Sequence, residues 1–426
     1  MTTLLLRRTA AVGLVTAVVV AVAGAPPAHA SPASRSGCLD GSAVLSVEEQ
    51  RLPAAVPQQI LRLSGFDRFA GQFAAVLCAL PAPALAGPVV RAEGHLLWQS
   101  AVARAQGHGR PDGLPRADDR PLYWARLTMT AALRQWHPRF GITPAARADL
   151  LGVLDRASRG QDSVDFPAGR RVHRILVTGF DTFTLDFDIR QSNPSGANAL
   201  ALDGVTVHTP AGPARIEAVT FPVLWQPFEQ GTVEHTLLPY LVPGPHQADL
   251  VTTTSMGRPG RFDLERWNGR YHFWIDNDNE SRDSTIPIPA GVPTVLPPPE
   301  FVPTTLPYQQ LTAASTGPFP VVDHTAVSEI PAGGTEVVQR PDGPTPGSTA
   351  VFGGGGNYLS NEVAYRATLL RDAVGAGIPV GHLHLPVLDF GPDNTTQVTD
   401  PVFEQNLRTI LDQTRAILTV AAGMLR

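Results

Sequence analysis

Ile175-Leu176-Val177, running on into Thr178-Gly179-Phe180, is a short apolar run closed by a glycine, and it marks where the chain changes period. Before the polar stretch 159–171, apolar residues recur at helical spacing. After it, short unbroken runs such as this one and Leu250-Val251 read as strands buried on both faces. Further strands are expected at 270–276, 349–352 and 380–387, and helices at 361–374 and 401–425. In the last of these Phe403, Leu407, Ile410, Leu411, Thr414, Ile417 and Leu418 fall three or four apart, so one face packs on a sheet. Strand and helix alternate, and the solution is a layered α/β domain over residues 170–426.

Upstream, residues 31–169 form a small helical domain. Ser46-Val47-Glu48-Glu49 is a capping box, Thr143-Pro144 starts a helix that Gly160 stops, and 121–136 is a helix ended by His137-Pro138. No chemical constellation gathers there, so its reading is a scaffold or docking module. Residues 1–30 read as a signal peptide: Arg7-Arg8, an apolar run too short to span a bilayer, then Ala28-His29-Ala30. Export is expected, with maturation at Ser31 and no membrane anchor. The arginine pair leaves the export route open. An oxidising compartment favours pairing of the two cysteines, Cys38 and Cys78; two buried free thiols are the alternative.

Nearly four hundred residues remain for globular structure. With 43% hydrophobic residues and a net charge of -5 there is no basic field for nucleic acid, and the expected partner is a small molecule or peptide. All 33 basic residues are arginine, which excludes a phosphate-loop or Schiff-base lysine. The proline-rich segment 286–307 is a long loop, either a lid over a cleft or an exposed connector.

Three stretches bear chemistry. Gly353-Gly354-Gly355-Gly356 leads into Ser360 at a helix start, where backbone amides converge on an anion or a developing oxyanion. A plain structural turn is the alternative. In Gly381-His382-Leu383-His384-Leu385-Pro386 the histidines point to one side of a strand, as a metal pair or with one as a general base. Phe262-Asp263-Leu264-Glu265-Arg266 offers a carboxylate that either orients a histidine or pairs with an arginine at the surface.

In order, these stretches resemble pyroglutamyl peptidase type I, the pyrrolidone carboxyl peptidases, over roughly residues 174–425. Thr178-Gly179-Phe180-Asp181-Thr182-Phe183 matches that family's T-G-F-x-x-F, Asn193-Pro194-Ser195 its N-P-S, and Glu265-Arg266 its Glu-Arg pair. Gly355-Gly356-Asn357-Tyr358-Leu359-Ser360-Asn361 stands for A-G-T-Y-V-C-N, and His382-Leu383-His384-Leu385-Pro386 for F-I-H-V-P. The resemblance implies a three-layer α/β/α domain of pyroglutamyl-peptidase type and a hydrolase that removes an N-terminal pyroglutamyl group from small blocked peptides. It implies Ser360 as nucleophile in place of cysteine, His384 as base, Glu265 as orienting acid, and Phe180 and Phe183 on the lactam ring, with no metal and no cofactor. The family's G-Q-x-G-G-R becomes Ser255-Met256-Gly257-Arg258-Pro259-Gly260-Arg261. Serine requires the imidazole to take its proton during attack, where a thiol near a helix N-terminus supplies thiolate directly. The rival expectation is an inactive relative that binds pyroglutamyl peptides.

Overall fold

Ile175-Leu176-Val177 lies within the strand His173–Phe180, an inner strand of the main sheet that is buried in all but its first residue. The structure is a computed structural model that describes residues 37–109, 111–169 and 171–425 of the 426-residue chain. The signal-peptide reading, on residues 1–30, lies outside the described residues.

Among the described residues seven strands make the main sheet, in the order Val321–His324, Phe262–Glu265, Val380–Leu385, Leu250–Met256, His173–Phe180, Gly212–Phe221 and Thr206–Thr209. From Val380–Leu385 to Gly212–Phe221 the neighbours run parallel. Phe262–Glu265 is antiparallel to Val380–Leu385 and sets Glu265 opposite His382. Thr206–Thr209 is antiparallel to its neighbour at the other end.

Helices cover both faces, which gives the layered α/β domain expected from the alternation, in the three-layer α/β/α form that the resemblance implies. On one face Leu176, Val219 and Val251 pack with Phe228, Leu237 and Val363, which come from the helices Trp225–Glu229, Thr232–Leu241 and Leu359–Ala373. On the other, Ile175, Val177 and Ile216 meet Leu200, Leu407 and Ile410, from Pro194–Leu202 and Pro401–Ala422. The helical residues upstream join this second core through Leu97, Trp98 and Trp124, and residues from Cys38 onward form one compact unit. None of the described helices is long and apolar enough to cross a membrane.

Local signals carry through. Ser46 and Glu49 close a capping box, although the helix it starts, Val47–Gln50, is a single turn. Thr143 caps Pro144–Ala157. Cys38 and Cys78 are bonded, with Cα atoms 5.6 Å apart. In the proline-rich segment Ile286 is buried with Val302, Tyr365 and Leu369, and Tyr365 donates to the carbonyl of Pro299. The segment is a strap on the helix Leu359–Ala373, braced by the short strand Phe301–Pro303 against Trp267–Gly269.

Candidate active site

The parallel strands end together at one edge of the sheet, where loops diverge and leave a crevice. Phe180, Ser255-Met256 and His384 all stand at such strand ends. The antiparallel strand Phe262–Glu265 brings its own last residue, Glu265, to the same place.

Glu265 is fully buried. One carboxylate oxygen accepts from Nδ1 of His384 at 2.7 Å and the other from Nδ1 of His324 at 2.6 Å. Burial would push the carboxyl up, but the hydrogen bonds from His324 and His384 outweigh it and hold it at about 2. Glu265 is therefore ionised, and Arg266 turns instead to Asp323, so a surface Glu-Arg pair is not what forms. His324 was not legible in the sequence. It lies 59 residues from Glu265 in a stretch without motif spacing, and only the parallel register of Val321–His324 on Phe262–Glu265 brings it near.

The two histidines of the last strand share a side, with ring centroids 4.7 Å apart, but their surroundings differ. His382 is fully buried, with Nδ1 on the Thr253 hydroxyl at 2.7 Å and Nε2 on the Ser255 hydroxyl at 2.8 Å. Burial, and then the neighbouring His384, push its pKa well down, and both ring nitrogens are already engaged. Among the described residues no group of three or more His, Cys, Asp and Glu is placed to hold a metal ion. His384, by contrast, gives Nδ1 to Glu265 and lines a cavity of about 320 Å³ together with Ser360, Gly355 and Tyr358.

Ser360 sits in the first turn of Leu359–Ala373, a turn with no side-chain cap, which leaves its amide donors free for an anion. The turn is fixed by Asn361, whose side chain accepts from Gly269 N at 2.9 Å and donates to Gly269 O at 2.7 Å. Behind it His272 bridges Glu362 at 2.7 Å and Ser284 at 2.9 Å. Ser284 lines neither cavity at Ser360, and Glu362 is also tied to Arg366, so this second Ser-His-Glu set braces the helix. The glycine run matters for close approach: a side chain on Gly354 would overlap the Glu265 carboxylate, and one on Gly355 would stand 3.3 Å from Cα of Asn361, with Cε1 of His384 at 3.4 Å. The Ser360 hydroxyl itself donates to the carbonyl of Gly355 at 3.0 Å.

Phe180 and Phe183 both border a second, inner cavity of about 30 Å³ that also reaches Ser360. Phe180 is buried against Phe228, its ring 6.0 Å away and nearly parallel. Phe183 lines both cavities and leans on Tyr358, centroids 6.0 Å apart.

The helical region reaches this site, a contact that no local motif in residues 31–169 signals. Arg51 holds Asp186 with two bonds of 2.9 Å and donates to the carbonyl of Asn277 at 2.7 Å. Asn277 in turn donates to Glu48 and to the carbonyl of Thr182, both at 2.9 Å. Asp186 and Asn277 are walls of the outer cavity. Burial, with Asp181 and Asp278 nearby, pushes the Glu48 carboxyl up to about 7.

Residues 28–155 match the family described as PA0049 N-terminal domain, and residues 174–317 and 318–389 match PA0049, C-terminal domain. The uncharacterized protein PA0049 of Pseudomonas aeruginosa is 34% identical over 88% of this chain and 89% of its own length. Among solved structures, a mutant pyrrolidone carboxyl peptidase of Pyrococcus furiosus is 19% identical, over 58% of this chain and 97% of its own, with a TM-score of 0.38. Pyroglutamyl peptidase I of Bacillus amyloliquefaciens is 17% identical over 59% and 95%, with a TM-score of 0.39. Both structural likenesses are loose.

Proposed function

This chain belongs to the PA0049 family, and from that premise we propose that it is an exported hydrolase cleaving the amide that follows a pyroglutamyl or similarly compact N-terminal group. Ser360 attacks the acyl carbon while His384 takes its proton. Glu265 holds the imidazole in the required tautomer and stabilises the imidazolium. The uncapped amides of the first helical turn receive the oxyanion. His384 then passes the proton to the departing amine, and water releases the acyl group by the reverse sequence. One observation carries the reading: a buried, ionised carboxylate engages the imidazole of His384, which lines the same cavity as Ser360.

Attack requires the Ser360 hydroxyl to leave the Gly355 carbonyl for His384, with which it shares the cavity. That resting hydrogen bond favours a second reading, a protein that captures such peptides without turnover. In both readings Phe180 and Phe183 border the acyl group. Residues 1–30 act as the export signal, 31–169 as a helical domain and 170–426 as the hydrolase domain; the Cys38–Cys78 bond suits an oxidising compartment.

Release of a chromophore from a pyroglutamyl-linked reporter amide separates the readings. Hydrolysis lost in Ser360→Ala and in His384→Ala, and raised or created in Ser360→Cys, establishes the enzyme. An unchanged rate in Ser360→Ala overturns the assignment of the nucleophile. Silence in both wild type and a folded Ser360→Cys leaves the binding protein.

A further inference from the structure

We infer that the outer cavity is a selective site for a large apolar or aromatic residue on the leaving-group side of the scissile amide, an inference that rests on the proposed hydrolase reading. The two cavities meet at Ser360, but only the outer one is lined by His384. The imidazole must hand its proton to the departing nitrogen, so the leaving group occupies the cavity that His384 lines. The smaller cavity beyond Ser360, about 30 Å³ and bordered by Phe180 and Phe183, is left on the acyl side.

The outer cavity, about 320 Å³, is walled by Leu185, Phe187, Met256, Trp274, Ile275 and Tyr358. Phe187 is 78% exposed and Trp274 50% exposed, both at the rim. Large side chains left open to water around one cavity mark a surface that something apolar covers. Trp274 also has φ +103°, a backbone conformation that a bulky residue keeps only where its surroundings enforce it.

The polar groups on the same wall are already engaged. Asp186 is held by Arg51, and Arg258 donates to Asp263 at 2.7 Å. Asp276 accepts from the amides of Trp225, Asp278 and Glu280. Each of these charges already has a partner within the protein, so a charged leaving residue would lose its water and compete with that partner. An apolar one is favoured simply by leaving water.

The test compares four dipeptides, pyroglutamyl-phenylalanine, -leucine, -glycine and -aspartate, in two assays. In hydrolysis, kcat/KM for phenylalanine and leucine is expected to exceed that for glycine and aspartate by roughly tenfold or more. Phe187→Ala and Trp274→Ala should bring the phenylalanine-to-glycine ratio toward one, mainly through KM. Phe187 is exposed, so its replacement leaves the core intact. Titration of the same dipeptides into Ser360→Ala reads binding without turnover. Hydrolysis without apolar preference overturns the inference and leaves the hydrolase standing. Absence of hydrolysis, with binding that still favours phenylalanine and loses that preference in Trp274→Ala, overturns the hydrolase and keeps the apolar site. Neither hydrolysis nor selective binding overturns both.

Discussion

Gly257 should be intolerant of even a single added methyl, because the imidazole proposed as the base lies directly against it. A Cβ at Gly257 would stand 2.5 Å from Cβ, 2.8 Å from Cγ and 3.1 Å from Cδ2 of His384. Ordinary carbon contacts lie near 3.5–4.0 Å, so the closest pair is short by about 1 Å. Neither partner yields easily. Gly257 N is bonded to the carbonyl of Leu385 at 2.8 Å, and His384 is tied to buried Glu265 at 2.7 Å. The effect is steric, since Gly257 lies outside the left-handed region. Displacing a reacting group by about 1 Å costs on the order of 10²-fold in rate, about 3 kcal/mol of transition-state stabilisation. Overpacking adds about 1–3 kcal/mol of destabilisation. Gly257→Ala is therefore expected to lower kcat/KM for a pyroglutamyl amide roughly 100-fold, lower Tm, and shift the NMR resonance of the His384 Nδ1 proton. A variant with wild-type kcat/KM and an unmoved proton resonance would overturn this expectation, since the steric contact between Gly257 and His384 would then not exist in solution.

Arg51→Ala should raise KM with little change in kcat and speed amide hydrogen exchange in residues 182–190 and 276–280, because Arg51 joins two walls of the outer cavity; unchanged exchange there would show that the walls stand without it. Glu48 has an ordinary value of 4.5 and is raised to about 7, so between those values the native state binds more protons than the unfolded chain, and its contribution is full below 4.5 and lost as pH rises through 7. Glu48→Gln, which keeps the neutral shape, should therefore gain stability over the wild type as pH rises from 5 to 8, by up to about 3 kcal/mol in denaturant titrations; a pH-independent difference would count against the raised carboxyl. Reducing Cys38–Cys78, which closes a loop with a sequence separation of 40, should cost roughly 4 kcal/mol by chain entropy, read as a fall in the denaturation midpoint, and no fall would mean that the loop is held equally well without the bond.

Properties that depend on near neighbours in the chain were legible in the sequence. The apolar run at Ile175-Leu176-Val177, the period of Pro401–Ala422, the Ser46 capping box and the Thr143 cap each follow from steric and hydrogen-bonding rules within a few residues. So does the glycine-led helix start that carries Ser360. The shared side of His382 and His384 follows from the two-residue repeat of a strand. Their separation into an engaged, neutral ring and one lining a cavity does not, because burial and partners come from Thr253, Ser255 and Glu265 on neighbouring strands. That Phe262–Glu265 enters the sheet antiparallel, and that His324 takes the second oxygen of Glu265, depends on strand order, which local pattern does not encode. The same holds for Arg51 and Glu48, more than two hundred residues from Asn277 and yet bonded to it. Residue types and the local folding of each segment are written in the chain itself; which of them share a cavity is set by tertiary packing, because side chains distant in the chain meet only through the layering of helices on a sheet.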